Sequence, residues 1–119
     1  MNIQVMRHKH VRTEPDYIYC VGRSNVERYY GADHCLTALG NPNPLRHEAD
    51  REKVVQEYRV WLWGKIQAAD PQVLKALQVL QDAYETHGRL VLVCHCAPKA
   101  CHADVIKACL EWRVNGGAS

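Results

Sequence analysis

The most reactive stretch of the sequence is the segment 94–102, which reads Cys-His-Cys-Ala-Pro-Lys-Ala-Cys-His. Thiolates combined with imidazole are the ligands of zinc and of some iron–sulfur centres. The sequence therefore offers four candidate metal ligands, which are Cys94, Cys96, Cys101 and His102. We expect zinc in preference to an iron–sulfur cluster, because a cluster needs four well-spaced cysteines.

The spacing of these side chains leaves the ligand set open. Cys101 and His102 are neighbours on a predicted helix, so their side chains diverge by about 100° and a site that used both would be strained. We expect only one of the two to bind the metal. His95, His34 or Cys35 would then complete the set.

The same segment also fits an anion-binding site with a reactive thiol. It follows a predicted strand and leads into a helix start, where free N–H groups and the helix dipole favour anions, thiolates included. Candidate catalytic residues are Cys96, Cys101 and His102, and Lys99 is a candidate ligand-binding residue. Cysteine phosphatases have a similar strand, loop and helix, but they carry arginine where this chain has His102. The pattern therefore predicts binding of a phosphate-bearing ligand rather than phosphatase chemistry.

A purely structural role is the third interpretation of the cysteines. Free cysteine is among the most buried residue types. We expect this role for Cys20, inside a predicted strand, and for Cys109, on an apolar helix face. Asp104 could cap the third helix, and its charge would then weaken an anion site.

Composition limits the class of protein. The chain has 119 residues, six cysteines and a net charge of +2. We expect one domain over 1–119 with a frayed tail at 115–119, in the cytoplasm, since neither a signal peptide nor a membrane span is evident. Reduced cysteines there indicate metal or thiol chemistry rather than disulfides. The weak charge disfavours nucleic acid as a partner, and nothing indicates an oligomeric state.

Hydrophobic patterning predicts a small single-domain α/β fold, with a mostly parallel sheet of about three strands and about three helices. Strands are expected at 2–6, 17–21 and 90–93, and the last of these is apolar on both faces, as central parallel strands are. Helices are expected over 50–67, from Asp70-Pro71 to His87-Gly88, and from near Cys101 to Asn115. The predicted core includes Trp61, Leu62, Leu77, Leu80, Val91 and Val93.

Two arginines are further candidates for the site. Gly22-Arg23 follows a predicted strand and could place a guanidinium on a phosphate or carboxylate. Arg51 lies in the first turn of a predicted helix, where the dipole disfavours a cation. We therefore expect Arg51 to pair with a nearby carboxylate, Asp50 or Glu48 being the simplest.

The order of several motifs resembles a bacterial and phage family catalogued as domain of unknown function 4326. The resemblance covers most of the chain, and its most specific part is Cys94-x-Cys96-x-Pro98-x-x-Cys101-His102. The other motifs are Tyr17-Ile18-Tyr19, Gly22-Arg23, Leu39-Gly40-Asn41-Pro42, Arg51, Tyr58 and Trp61-Leu62. The resemblance implies that Gly22, Arg23, Asn41 and Arg51 gather around the same site as the cysteines. It implies no activity.

Two functions are compatible with these observations. The first is a ligand-binding α/β domain for a nucleotide-like or other phosphate-bearing molecule, and whether it is also an enzyme stays open. The second is a zinc-stabilised, non-enzymatic module that binds a protein partner.

Overall fold

The computed structural model describes residues 2–7, 17–21, 35–42, 47–94 and 102–115, with the side chains of Arg7 and Cys94 excepted. The described residues form a three-stranded parallel sheet of β1 (Ile3–Arg7), β2 (Ile18–Cys20) and β3 (Leu90–Cys94). Strand β3 lies in the middle and pairs with both others, so that Leu92 aligns with Val5 on one side and Tyr19 on the other. The predicted central parallel strand is confirmed.

Strand β2 is shorter than the predicted 17–21. Tyr17 lies in a turn, and Val21 falls just outside the strand. The ladder nevertheless continues for one bond beyond it, because the Val21 N–H donates to the Val93 carbonyl at 3.2 Å.

Three helices follow the predicted boundaries closely. They are α1 (Arg51–Gln67), α2 (Pro71–His87) and α3 (His102–Val114), and a 3-10 turn over Glu48–Asp50 precedes α1. The Asp70 carboxylate caps α2 by accepting hydrogen bonds from the Gln72 and Val73 N–H groups, both at 3.1 Å. Gly88 ends α2 in the left-handed conformation with φ 71°. Proline at the first helical position and glycine just past the end are the usual helix signals.

All three helices contribute to a core on one face of the sheet. That face presents Ile3, Tyr19, Val21, Leu90 and Leu92. The opposite face carries a second buried cluster of Ile18, Cys20, Val91 and Val93. Both faces of β3 are therefore buried, as its apolar sequence predicts. Among the described residues, no helix combines the length and apolar character needed to cross a lipid bilayer.

The predicted core is confirmed with one correction. Leu62, Leu77, Leu80, Val91 and Val93 are buried. Trp61 is only half-buried and packs against the edge of the core. Helix α1 buries a narrow stripe centred on Tyr58 and Leu62, and Trp61 lies beside that stripe rather than on it.

Candidate functional site at the carboxyl edge of the sheet

His102 connects the start of α3 to the end of β2. It is the first residue of the helix, and its Nε2 lies 2.7 Å from the carbonyl oxygen of Val21. Because a carbonyl can only accept, Nε2 must carry the proton and donate. In the neutral ring the lone pair is then on Nδ1, which is the nitrogen that can accept a proton or bind a metal.

Tyr58 supports this histidine from α1. Its ring packs edge-on against the His102 ring, with centroids 5.2 Å apart. Its hydroxyl is buried and donates to the Leu39 carbonyl at 2.6 Å. One side chain thus connects α1, the start of α3 and the segment 35–42. The sequence marks Tyr58 as one of the motifs of the family resemblance but predicts neither of these contacts. The available signal was its type, because a buried phenol needs a hydrogen-bond partner.

The segment 35–42 lies along the open edge of β2. Cys35 forms an isolated parallel bridge with Cys20, and the Leu36 N–H donates to the Cys20 carbonyl at 2.8 Å. A 3-10 turn over Thr37–Leu39 follows. Asn41 is half-buried and comes two residues after Leu39. The Leu39 carbonyl is the group that accepts the hydrogen bond from the Tyr58 hydroxyl. Tyr58 therefore links the segment that contains Asn41 to His102, two residues that are predicted to belong to one site.

Arg51 has the carboxylate partner that its position predicted. Its Nε donates to Glu48 Oε1 at 2.9 Å and its Nη2 to Glu48 Oε2 at 2.7 Å. This two-point contact fixes the plane of the guanidinium, and the Arg51 side chain is 18% exposed. Arg51 precedes Tyr58 by two helical turns, so both lie on the same side of α1, about 10 Å apart along its axis.

The N-termini of α1 and α3 point in the same direction. Near its middle, α1 contacts the start of α3 through Tyr58 and His102, and further along it contacts the end of α3 through Trp63 and Trp112, with ring centroids 5.5 Å apart. The start of α3 lies beside Val21, just past the carboxyl end of β2. Both positive helix ends therefore face the carboxyl edge of the parallel sheet, where ligands of α/β sheets bind.

The remaining predicted site residues fall largely outside the described residues. Cys94 is the last residue of β3 and aligns with Arg7 of β1 through its backbone. Cys96, Lys99 and Cys101 lie in 95–101, and Gly22 and Arg23 lie in 22–34, so none of them has a described position. In the part of the chain that is described, no three His, Cys, Asp or Glu side chains are grouped as metal ligands.

The two cysteines predicted to be structural occupy apolar surroundings. Cys20 is buried in the second core cluster, and Cys109 is half-buried on α3. Burial raises the pKa of the Cys109 thiol above its ordinary value, and the charge of Arg113 opposes this only in part. Cys109 therefore stays a neutral thiol at physiological pH, which suits packing better than nucleophilic chemistry.

Comparison with known sequences gives one result. The family described as Domain of unknown function (DUF4326) matches residues 3–112, a span that includes all three strands, α1, α2 and most of α3. No curated protein and no solved structure matches the chain. The match covers nearly the whole sequence, and the chain belongs to the DUF4326 family.

Proposed function

We propose that this protein binds a small phosphate-bearing molecule, such as a nucleotide, at the carboxyl edge of its sheet above the ends of β2 and β3. The observation that carries the proposal is the hydrogen bond from His102 to the Val21 carbonyl. It fixes the N-terminus of α3 at this edge, and the backbone N–H groups and the dipole of a helix start attract anions.

The surroundings of that helix end carry charges of both signs: Asp104 in the first turn of α3 opposes an anionic ligand, whereas Arg51 of α1 favours one. The N-terminus of α1 faces the same edge, and two hydrogen bonds to Glu48 orient Arg51 in its first turn. Glu48 occupies two of the five guanidinium N–H groups, so it orients the arginine while offsetting part of its charge. A pre-oriented guanidinium loses little side-chain entropy on binding a phosphate. In this proposal Lys99, Gly22, Arg23 and Asn41 complete the ligand-binding set.

The same site could carry a catalytic thiol. With the proton on Nε2, the Nδ1 lone pair of His102 is the acceptor for a proton from Cys96 or Cys101. A thiolate at a helix start is stabilised by the dipole. Catalysis is an extension of the binding proposal, and binding is the part to test first.

The binding test is calorimetric titration of metal-replete protein with nucleotides and sugar phosphates. We expect saturable binding by at least one of them, weakened roughly tenfold or more in Arg51→Gln, since one charge-assisted contact contributes about 1.5–3 kcal/mol. Lys53→Gln removes an exposed cation from the same helix and is the matched control, expected to bind as the wild type does. Absence of binding at millimolar ligand would contradict the proposal.

A zinc-stabilised module that binds a protein partner is the second candidate, and one observation favours it. Metal-binding histidines usually donate their second ring N–H to a carboxylate or backbone carbonyl, as His102 does to Val21. Nδ1 would then be the zinc-binding atom, beside thiolates from Cys94, Cys96 or Cys101. Such a module fits the cytoplasm, where thiols stay reduced.

Elemental analysis separates the two candidates. Protein purified without added metal or a histidine tag should contain about one equivalent of zinc, absent from Cys96→Ser, if the module is correct. Chelation should then lower the melting temperature, because metal binding contributes to folding. Sub-stoichiometric metal and an unchanged melting temperature would exclude structural zinc and leave the anion site as the better proposal.

A further inference from the structure

Two cysteine thiols lie side by side at the edge of β2. Cys20 is the last residue of β2, and Cys35 aligns with it through an isolated parallel bridge. Aligned residues of neighbouring strands have Cα atoms about 4.8 Å apart and side chains on the same face of the sheet. That face carries the second buried cluster, which contains Cys20 and against which Cys35 packs. Neither residue is in a disulfide in this structure.

The spacing of the two residues permits a disulfide between them. Cysteines joined by a disulfide usually have Cα atoms roughly 4.4–6.8 Å apart, a range that includes the separation of aligned strand residues. Their Cβ atoms must approach to about 4 Å, so a small shift of Cys35 towards β2 completes the geometry. Cys35 can make this shift because its bridge is isolated and is not part of a regular ladder.

The two thiols differ in their access to solvent. Cys20 is 2% exposed, whereas Cys35 is half-buried. An oxidant that arrives from solvent therefore meets Cys35 first, and Cys20 is the neighbouring thiol that can react with the oxidised product. A solvent-accessible thiol beside a resolving cysteine is a common feature of redox-sensitive pairs.

We infer that Cys20 and Cys35 form a reversible disulfide when the protein meets hydrogen peroxide. The Cys35 sulfur attacks a peroxide oxygen, so that an S–O bond forms, the O–O bond breaks, and one water leaves with the thiol proton. The Cys20 sulfur then attacks the sulfenic acid, an S–S bond replaces the S–O bond, and a second water leaves with the Cys20 proton. Two thiols thus lose two electrons, which the peroxide accepts, and a dithiol reverses the bond by thiol–disulfide exchange.

The disulfide fastens the segment 35–42 to the sheet. In the reduced protein, the hydrogen bond from the Leu36 N–H to the Cys20 carbonyl, at 2.8 Å, is a described link between this segment and β2. The same segment contains Asn41 and the Leu39 carbonyl that accepts from Tyr58. Oxidation therefore makes this edge of the candidate site more rigid, and it does so whether or not a phosphate-bearing ligand binds there.

Peptide mapping of the full chain tests the inference. Trypsin cleaves after lysine and arginine, so it places Cys20 in the peptide 13–23 and Cys35 in the peptide 29–46, apart from the other four cysteines. After exposure to hydrogen peroxide and alkylation of the remaining thiols, we expect a linked pair of these two peptides that dithiothreitol separates. Amide hydrogen exchange in 36–40 should slow roughly tenfold or more on oxidation and recover on reduction, because the bond opposes local opening of the segment.

Two serine variants are the controls for this experiment. Cys35→Ser should abolish the linked pair and make exchange in 36–40 insensitive to peroxide. Cys109→Ser removes another half-buried thiol and should behave as the wild type does. Circular dichroism establishes that both variants fold.

Two outcomes overturn the inference. The first is absence of the linked peptides, or a bond from Cys35 to another cysteine in preference to Cys20. The second is a linked pair that forms but leaves exchange in 36–40 unchanged, because the bond then does not fasten the segment.

Discussion

Tyr58 contacts segments that are far apart in the sequence. Its hydroxyl donates a hydrogen bond to the carbonyl of Leu39, 19 residues earlier, and its ring packs edge-on against the His102 ring. Through these two contacts Tyr58 links the segment that contains Asn41 to the start of α3. Tyr58 is therefore a positioning residue for the candidate site, although it is itself buried in the core.

Replacing Tyr58 with phenylalanine separates these two contacts. Tyr58→Phe keeps the ring against His102 but leaves the Leu39 carbonyl buried without its donor, at a cost of about 1–3 kcal/mol. Urea denaturation measures this loss of unfolding free energy, and hydrogen exchange should show faster exchange in 36–40. Tyr84→Phe, half-buried on α2, is the control. Equal effects of both variants would contradict a specific role for Tyr58.

Asp70 is expected to make stability depend on pH. The hydrogen bond from the Val73 N–H is the main cause that lowers the pKa of this carboxyl, with the charge of Lys65 and the Gln72 N–H adding to it and desolvation opposing it. A pKa that is lower in the folded state means that the folded chain favours the ionised form. Its stabilising contribution is therefore complete above the ordinary carboxyl pKa of about 3.9 and is lost as pH falls through the folded-state pKa.

Asp70→Asn tests this contribution, because the amide oxygen still caps the helix but does not titrate. Below about pH 4 the stability difference between wild type and variant should shrink, as measured by urea denaturation at several pH values. Asp82→Asn, on the exposed side of α2, is the control. A difference that stays constant from pH 6 to the acid range would show that Asp70 does not contribute in this way.

Strand β3 is the element on which the fold depends most. It pairs with both other strands and is buried on both faces. Leu92→Ala should reduce the unfolding free energy by about 2–4 kcal/mol, the usual cost of truncating a buried aliphatic side chain. Lys75→Ala, exposed on α2, should change it little. A near-neutral Leu92→Ala would mean that β3 is not the packed centre of the sheet.

The elements differ in how much of them the sequence predicts. Helix α2 has Asp70, Pro71 and Gly88 at its ends, and local hydrogen bonds at those residues set its limits. Strand β2 has no such signals, because pairing with β3 decides where it begins and ends. In α1, periodicity identifies the buried Tyr58 and Leu62. It does not reveal that Trp63 remains exposed, since that depends on where α3 packs.

The candidate site shows the same contrast. The pairing of Arg51 with Glu48 follows from neighbours in sequence and was predictable. The contact between His102 and Val21 joins residues 81 positions apart and was not. The sequence predicts a site at the junction of β3 and α3, and the family resemblance implies that Asn41 joins it, but only the fold reveals the contacts of Tyr58 with Leu39 and His102.

At the scale of the whole molecule, the sheet depends on residues near the end of the described chain. A chain ending at residue 89 lacks β3 and α3, so β1 and β2 have no strand between them and one helix of the core is lost. We expect it to keep some helical signal from α1 and α2 in circular dichroism but to lose cooperative thermal unfolding. The full chain, which contains the same two helices together with β3, is the control. A cooperative transition in the shortened chain would show that the helices fold without the sheet.

The position of β3 also affects folding during synthesis. Ile3 pairs with Leu90, 87 positions later, and Ile18 pairs with Val91, 73 positions later. The first two strands therefore leave the ribosome long before β3, the strand that pairs with both of them. Such long-range pairing slows folding and leaves apolar segments open to aggregation. Helix α1 and helix α2 emerge in that interval, and their local contacts are the ones that can form first.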